Sequence, residues 1–286
     1  MQTVNRIETL REAVEDLRQT GSVALVTTMG ALHNGHMALV RAARQQAAHV
    51  VVSIFVNPRQ FGPKEDLAAY PRPLAVDQAK LAAEGVAVLW TPDEHAMYPA
   101  GYATTVAVSG VSEGLCGAAR PGHFDGVATV VLKLFNQLRP DMALFGEKDW
   151  QQLAVIRRMA RDLDLVLPHA DRILAVPTVR EADGLAMSSR NAYLSAAQRT
   201  VAGKLNVFMR QAVAQIEQGA QIGPVLAGLE AELVSAGFAS VDYASLADAD
   251  SLEPLTARPV RPARLLVAAR IGTTRLIDNM PVEGHA

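Results

Sequence analysis

Short apolar runs separated by helical patterns set the rhythm of the first two-thirds of the chain. Residues 23–26 and 50–56 are rich in valine and apolar on consecutive positions, the pattern of strands buried on both faces. Residues 86–90 and 142–145 repeat it. Helical periodicity fills residues 35–48, after a glycine-containing turn, and follows 142–145 with Leu153, Ile156 and Met159 at helical spacing. Strands alternating with helices predict an α/β fold on a parallel sheet covered on both sides. Ligands of such sheets sit beyond the carboxyl ends of the strands, so the loops that follow strands carry the information.

The pattern changes near residue 176. A loop rich in Gly, Ser and Arg (180–191) leads into a long Ala- and Gln-rich helical stretch, broken around 219–224. Strand patterns follow at 241–246, 265–269 and 274–277, the last two reading as a hairpin about Gly272-Thr273. We therefore expect two domains, residues 1–177 and a smaller C-terminal α/β domain over 178–286. There is no internal repeat and no low-complexity segment.

Composition narrows the function classes. The chain has 286 residues, half of them hydrophobic and a fifth charged, with a formal charge of −2. A nucleic-acid backbone is normally met by a basic excess or stripe, and neither is present. The single cysteine, Cys116, excludes an intrachain disulfide and a thiolate metal cluster, which fits a reducing compartment. Residues 1–18 carry Arg6, Glu8, Arg11, Glu12, Glu15 and Asp16, unlike a signal peptide. No apolar run approaches the roughly 20 residues that cross a bilayer. A cytoplasmic protein without nucleic-acid or membrane partners is expected.

Three loops carry chemistry. Thr28-Met29-Gly30-Ala31-Leu32-His33-Asn34-Gly35-His36 follows a strand and opens a helix. A helix N-terminus offers N–H groups and partial positive charge to phosphate, and glycines let backbone approach the ligand. Two histidines three apart can donate to a phosphorus centre as charge builds on it; the same spacing also suits a metal pair, though no third ligand of suitable spacing lies nearby. Phe145-Gly146-Glu147-Lys148-Asp149-Trp150-Gln151-Gln152 repeats the strand-to-helix context, with Lys148 as a compact cation and Asp149 as either helix cap or ligand contact. Met187-Ser188-Ser189-Arg190 sets hydroxyls and a guanidinium on a Gly-preceded loop, suited to closing over a triphosphate.

The His33-x-Gly-His36 pattern resembles the signature of the nucleotidylyltransferase superfamily, and the Ser-Ser-Arg loop its second, mobile signature. A closer match joins these motifs to Ser53-Ile54-Phe55-Val56-Asn57-Pro58-x-Gln60-Phe61, Arg120-Pro121-Gly122-His123-Phe124 and Asp183-Gly184-Leu185-Ala186. In order and in register, they resemble the pantothenate synthetase (pantoate–β-alanine ligase) family, from the first strand to Asp278-Asn279. One departure is Thr27, where many relatives carry proline; threonine restores a backbone donor and removes no catalytic group.

The resemblance implies a Rossmann-like parallel-sheet domain with a C-terminal lid. It further implies that ATP and Mg²⁺ convert pantoate to pantoyl adenylate, with release of pyrophosphate, and that β-alanine then displaces AMP. Met29, Gly30, Ala31, Leu32, His33, Asn34, Gly35 and His36 would line the ATP site, completed by Gly146, Glu147, Lys148, Asp149, Val179, Met187, Ser188, Ser189 and Arg190. His33, His36, Lys148 and Arg190 would be catalytic, with His36 the proton donor. Gln60 and Gln152 would hold pantoate, joined at the substrates by Asn57, Arg120 and His123, with Asp77 near the metal. Relatives are typically homodimers. Another nucleotidylyltransferase acting on a phosphorylated acceptor is the alternative, as is an RNA-binding or catalytically dead relative; the paired glutamines disfavour the first, and the near-neutral charge with both histidines retained disfavours the second.

Overall fold

The computed structural model describes residues 1–63 and 65–284. Six strands form one sheet: β1 (Gln2–Val4), β2 (Val23–Thr28), β3 (His49–Ile54), β4 (Val88–Trp90), β5 (Met142–Gly146) and β6 (Ile173–Val176). They lie in the order β1-β4-β3-β2-β5-β6, with every pairing parallel. Val23, Ala24, Leu25 and Val26 are each 0% exposed, so β2 is buried on both faces, as its unbroken apolar run predicts. The four strands expected from sequence are the four inner ones. The sheet's edges, β1 and β6, give no such signal, because neither is covered on both faces along its length.

Helices α1 (Ile7–Arg18), α2 (Asn34–Gln46), α3 (Leu74–Ala83), α4 (Glu94–Met97), α5 (Cys116–Ala119), α6 (His123–Leu138) and α7 (Trp150–Asp162) fall between these strands along the chain. From β2 the chain steps outward through β3 and β4, then restarts on the other side with β5 and β6. The strand order therefore reverses between β2 and β5, the position at which open α/β sheets bind ligands.

The chain forms two compact units. The first comprises Met1–Ser109, Arg120–Gly146 and Val155–Pro177; the second takes Gly110–Ala119, Glu147–Ala154 and the chain from Thr178 onward. The second contains α8 (Ala196–Glu217), α9 (Ile222–Ser235) and an antiparallel sheet β7 (Ser240–Asp248), β8 (Ala263–Ile271) and β9 (Thr274–Val282), in that order. Leu205, Met209, Leu229, Leu233, Leu265 and Val267 are buried in its core. Ser195 starts α8 with a reciprocal cap: its hydroxyl accepts from the Gln198 N–H, and the Gln198 side chain accepts from the Ser195 N–H. The expected hairpin is β8–β9, turning between Ile271 and Thr274. The last two residues of the segment expected as the second domain, 178–286, lie outside the described residues.

Candidate active site

The loop after β2 is shaped from both sides. Gly30 has φ +86°, and a Cβ there would come within 3.2 Å of Ile54 and 3.3 Å of Asp77, so the position favours glycine. Ala31 is also left-handed, at φ +51°, a conformation an L-residue keeps only when its surroundings enforce it. Asp77, on the first turn of α3, supplies that enforcement. Its two carboxylate oxygens accept from the Ala31 N–H at 2.8 Å and the Leu32 N–H at 2.9 Å, and the side chain is 1% exposed. Lys80, one turn on, donates to the Leu32 carbonyl at 2.5 Å.

This loop delivers the two histidines to the start of α2. His33 is the N-cap; its Nδ1 accepts from the Gly35 N–H at 3.1 Å, while His36 Nδ1 accepts from the His33 N–H at 3.3 Å. The rings stand 4.1 Å apart, centroid to centroid. With both Nδ1 atoms accepting, each neutral ring carries its proton on Nε2. The backbone thus fixes both tautomers, and two ring N–H donors accompany the N-terminal amides of α2, an arrangement suited to a phosphate anion.

The Asn57–Gln60 turn is the second element of the first unit. The Gln60 Nε2 lies 3.2 Å from Met29 Sδ, joining this turn to the loop after β2. Asn57 is 1% exposed, and its amide is fully used. The oxygen accepts from the Arg59 N–H and the Tyr98 hydroxyl; the nitrogen donates to the Gly126 carbonyl and to Gln60 Oε1. A Cβ on Gly126 would lie 2.3 Å from the Arg59 carbonyl oxygen, so α6 meets this turn backbone to backbone.

Arg120 and His123 support the same turn from behind. His123 Nδ1 donates to the Gln60 carbonyl at 2.9 Å, and its Nε2 accepts from Arg120 at 2.9 Å. Arg120 in turn grips Glu65 through Nε at 2.7 Å and Nη2 at 2.5 Å. Burial alone would raise the Glu65 carboxyl's pKa, but the Arg120 hydrogen bonds and charge outweigh it and hold the group below its ordinary value.

In the second unit, the residues after β5 are anchored by side chains far along the chain. Asn279 donates from its amide to the carbonyls of Glu147 and Lys148, at 2.8 and 3.0 Å. Arg264 reaches Asn279 Oδ1 at 2.6 Å and Glu147 at 2.9 Å, and stacks 3.4 Å over the Trp150 ring. Lys148 lies 3.8 Å from Asp149. Gln151 is turned inward, accepting from the Cys116 N–H and donating to the carbonyls of Val111 and Gly114, while Gln152 beside it is half-buried. Val179 accepts from the Met187 N–H, Arg180 pairs with the buried Asp278, and Ser188 caps the 3₁₀ turn Ser189–Tyr193 that carries Arg190. Arg264 escaped the sequence reading, although a cation inside the apolar run of β8 is itself the sign of a buried partner. Tyr98 gave no comparable sign.

Among the described residues, no group of three or more His, Cys, Asp or Glu side chains is placed to hold a metal ion. Nor is any helix there long and apolar enough to cross a membrane.

A histidine-bearing helix start at the switch point of a parallel sheet makes this chain an α/β enzyme of the kind that handles phosphate-containing substrates. Comparison with known proteins supplies the family. The pantoate–β-alanine ligase family model matches residues 2–281. A pantothenate synthetase of Novosphingobium aromaticivorans is 66% identical over 283 residues, covering 99% of each chain. The crystal structure of the Thermus thermophilus pantothenate synthetase superposes with a TM-score of 0.90 at 45% identity, covering 99% of each chain. A Francisella tularensis pantoate–β-alanine ligase, described as complexed with β,γ-ATP and β-alanine, gives 0.83 at 33% identity, covering 100% of this chain and 99% of its own. The chain belongs to the pantoate–β-alanine ligase family.

Proposed function

We propose that this chain condenses pantoate with β-alanine in two ATP-driven half-reactions. A carboxylate oxygen of pantoate attacks the α-phosphorus of ATP, the bond to the β-phosphate breaks, and pyrophosphate leaves. The amine of β-alanine then attacks the pantoyl carbonyl, forming the C–N bond; AMP departs and the amine's surplus proton is released. The observation that carries this reading is the pair of histidines at the start of α2, each with Nδ1 tied to a backbone N–H. Locked Nε2–H donors need no reorganisation as charge builds on the phosphoryl oxygens. In the same reading His36 is the proton donor and His33 its partner on the phosphates. Lys148, Ser188, Ser189 and Arg190 serve the nucleotide, while Gln60 and Gln152 hold pantoate. Neutral amides fix a carboxylate without neutralising it, so it keeps the nucleophilicity that the first step needs.

Asp77 does not fit a metal-binding role, because each oxygen already holds a loop N–H and the side chain is buried. Mg²⁺ belongs in this proposal as part of the ATP substrate, held by phosphate oxygens and water. A cytoplasmic homodimer completes the proposal, on the strength of the family alone.

Exchange of labelled pyrophosphate into ATP, without β-alanine, tests the first half-reaction. Exchange that appears only when pantoate is added is the expected result. No exchange from folded protein supplied with Mg²⁺ would remove pantoyl-adenylate formation from the proposal.

A further inference from the structure

The polarity of the Gln60 amide is set by a chain of hydrogen bonds whose direction the backbone dictates. A backbone N–H can only donate and a carbonyl can only accept. Asn57 sits between one of each, the Arg59 N–H at 3.3 Å and the Gly126 carbonyl at 3.1 Å. Its oxygen must therefore face Arg59 and its nitrogen must face Gly126. Two consequences follow without further freedom. The Tyr98 hydroxyl, 2.8 Å from that oxygen, is the donor. Gln60 Oε1, 3.1 Å from that nitrogen, is an acceptor. The Gln60 NH₂ is thereby turned away from Asn57, with one N–H directed at Met29 Sδ, a weak acceptor. The other N–H meets no protein acceptor among the described residues.

Tyr98 is built to hold this end of the chain. Its ring is edge-on to Tyr102 at 5.1 Å and tilted against Phe55 at 6.1 Å, and the Arg59 guanidinium lies 4.9 Å over its face. Burial pushes the phenol pKa well above its ordinary value, so the hydroxyl keeps the proton it donates.

We propose that Tyr98 is a positioning residue that reinforces, through Asn57, the backbone-set orientation in which the Gln60 NH₂, rather than its carbonyl, meets the acid substrate. The inference rests on the proposed role of Gln60 in binding pantoate. An amide turned the other way would set its oxygen against a carboxylate, so the relay decides whether Gln60 attracts or repels the acid.

The test compares wild type with Tyr98→Phe, Asn57→Asp, Gln60→Ala and the double variant Tyr98→Phe/Gln60→Ala, in steady-state kinetics for each substrate and in thermal unfolding. Tyr98→Phe is expected to raise KM for pantoate about 3- to 10-fold, the scale of one hydrogen bond, with KM for ATP unchanged. The same substitution should add nothing in the Gln60→Ala background. Asn57→Asp, which removes the donor facing Gln60, should weaken pantoate use further than Tyr98→Phe does. An equal effect of Tyr98→Phe in both backgrounds, or parallel losses for ATP and pantoate, would overturn the relay. A second readout needs no turnover: the Gln60 side-chain NH₂ signal in a ¹H–¹⁵N spectrum, identified by its loss in Gln60→Ala. A shifted signal in Tyr98→Phe supports the relay even if wild type fails to use pantoate, in which case the proposed function falls instead. An unmoved signal overturns the relay whatever the substrate.

Discussion

His36 carries two duties that a single substitution separates from the fold. Its Nδ1 accepts from the His33 N–H, and its Nε2–H is the proposed donor to the phosphates. His36→Ala should leave unfolding little changed, since α2 keeps its remaining N-terminal bonds, and lower kcat by about 10²–10³-fold, the scale of one lost transition-state donor. Near-native turnover in that variant would take His36 out of the mechanism. Glu65 offers a pH-dependent test. Its folded pKa lies below the ordinary carboxylate value, so the Arg120 pair stabilises the protein above that ordinary value and ceases to do so as pH falls through the depressed one. Glu65→Gln should therefore melt below wild type at pH 7, and the gap should close below about pH 4. A gap that persists in acid would mean that packing rather than charge is lost. The same residues mark the limit of sequence reading. The two histidines announce themselves by spacing, whereas the task of Asp77, holding a left-handed loop 45 residues upstream of it, depends on where α3 happens to pass.

Among the elements, the inner strands are legible because burial on both faces leaves an unbroken apolar run. The edge strands are not, because one-sided or partial burial leaves a mixed pattern in three or four residues. The approach of α6 to the Pro58–Gln60 turn is likewise invisible in one dimension, although a glycine one turn into a mostly apolar helix is its trace. Gly126→Ala brings a methyl group against the Arg59 carbonyl, which as backbone cannot swing aside. The turn must shift, so we expect destabilisation by about 1–3 kcal/mol together with a raised KM for pantoate. Chemical denaturation and kinetics on the same preparation check both. Lost stability with unchanged kinetics would show that the turn accommodates the methyl without moving Gln60.

At the scale of the whole molecule, binding is the measurable consequence of the proposal. Ligand that binds only the folded chain stabilises it by about 2.7 kcal/mol at one hundred times its Kd. Mg-ATP at that excess should therefore raise the melting temperature by several degrees, and GTP at the same concentration should not. Equal shifts with both nucleotides would point to recognition of the triphosphate alone. The sequence by itself determined the class of each inner element, the two strand-following loops and the family, because periodicity and motif order are local properties of the chain. Tertiary structure alone decided what holds the candidate site residues in place. Asp77 on the Ala31 and Leu32 N–H groups, Asn279 on the Glu147 and Lys148 carbonyls, Arg264 on the Glu147 carboxylate, and Tyr98 behind Asn57 join positions from about 40 to more than 130 residues apart. Hydrogen bonds of that reach follow from where folded elements cross, and no periodicity along the chain encodes a crossing point.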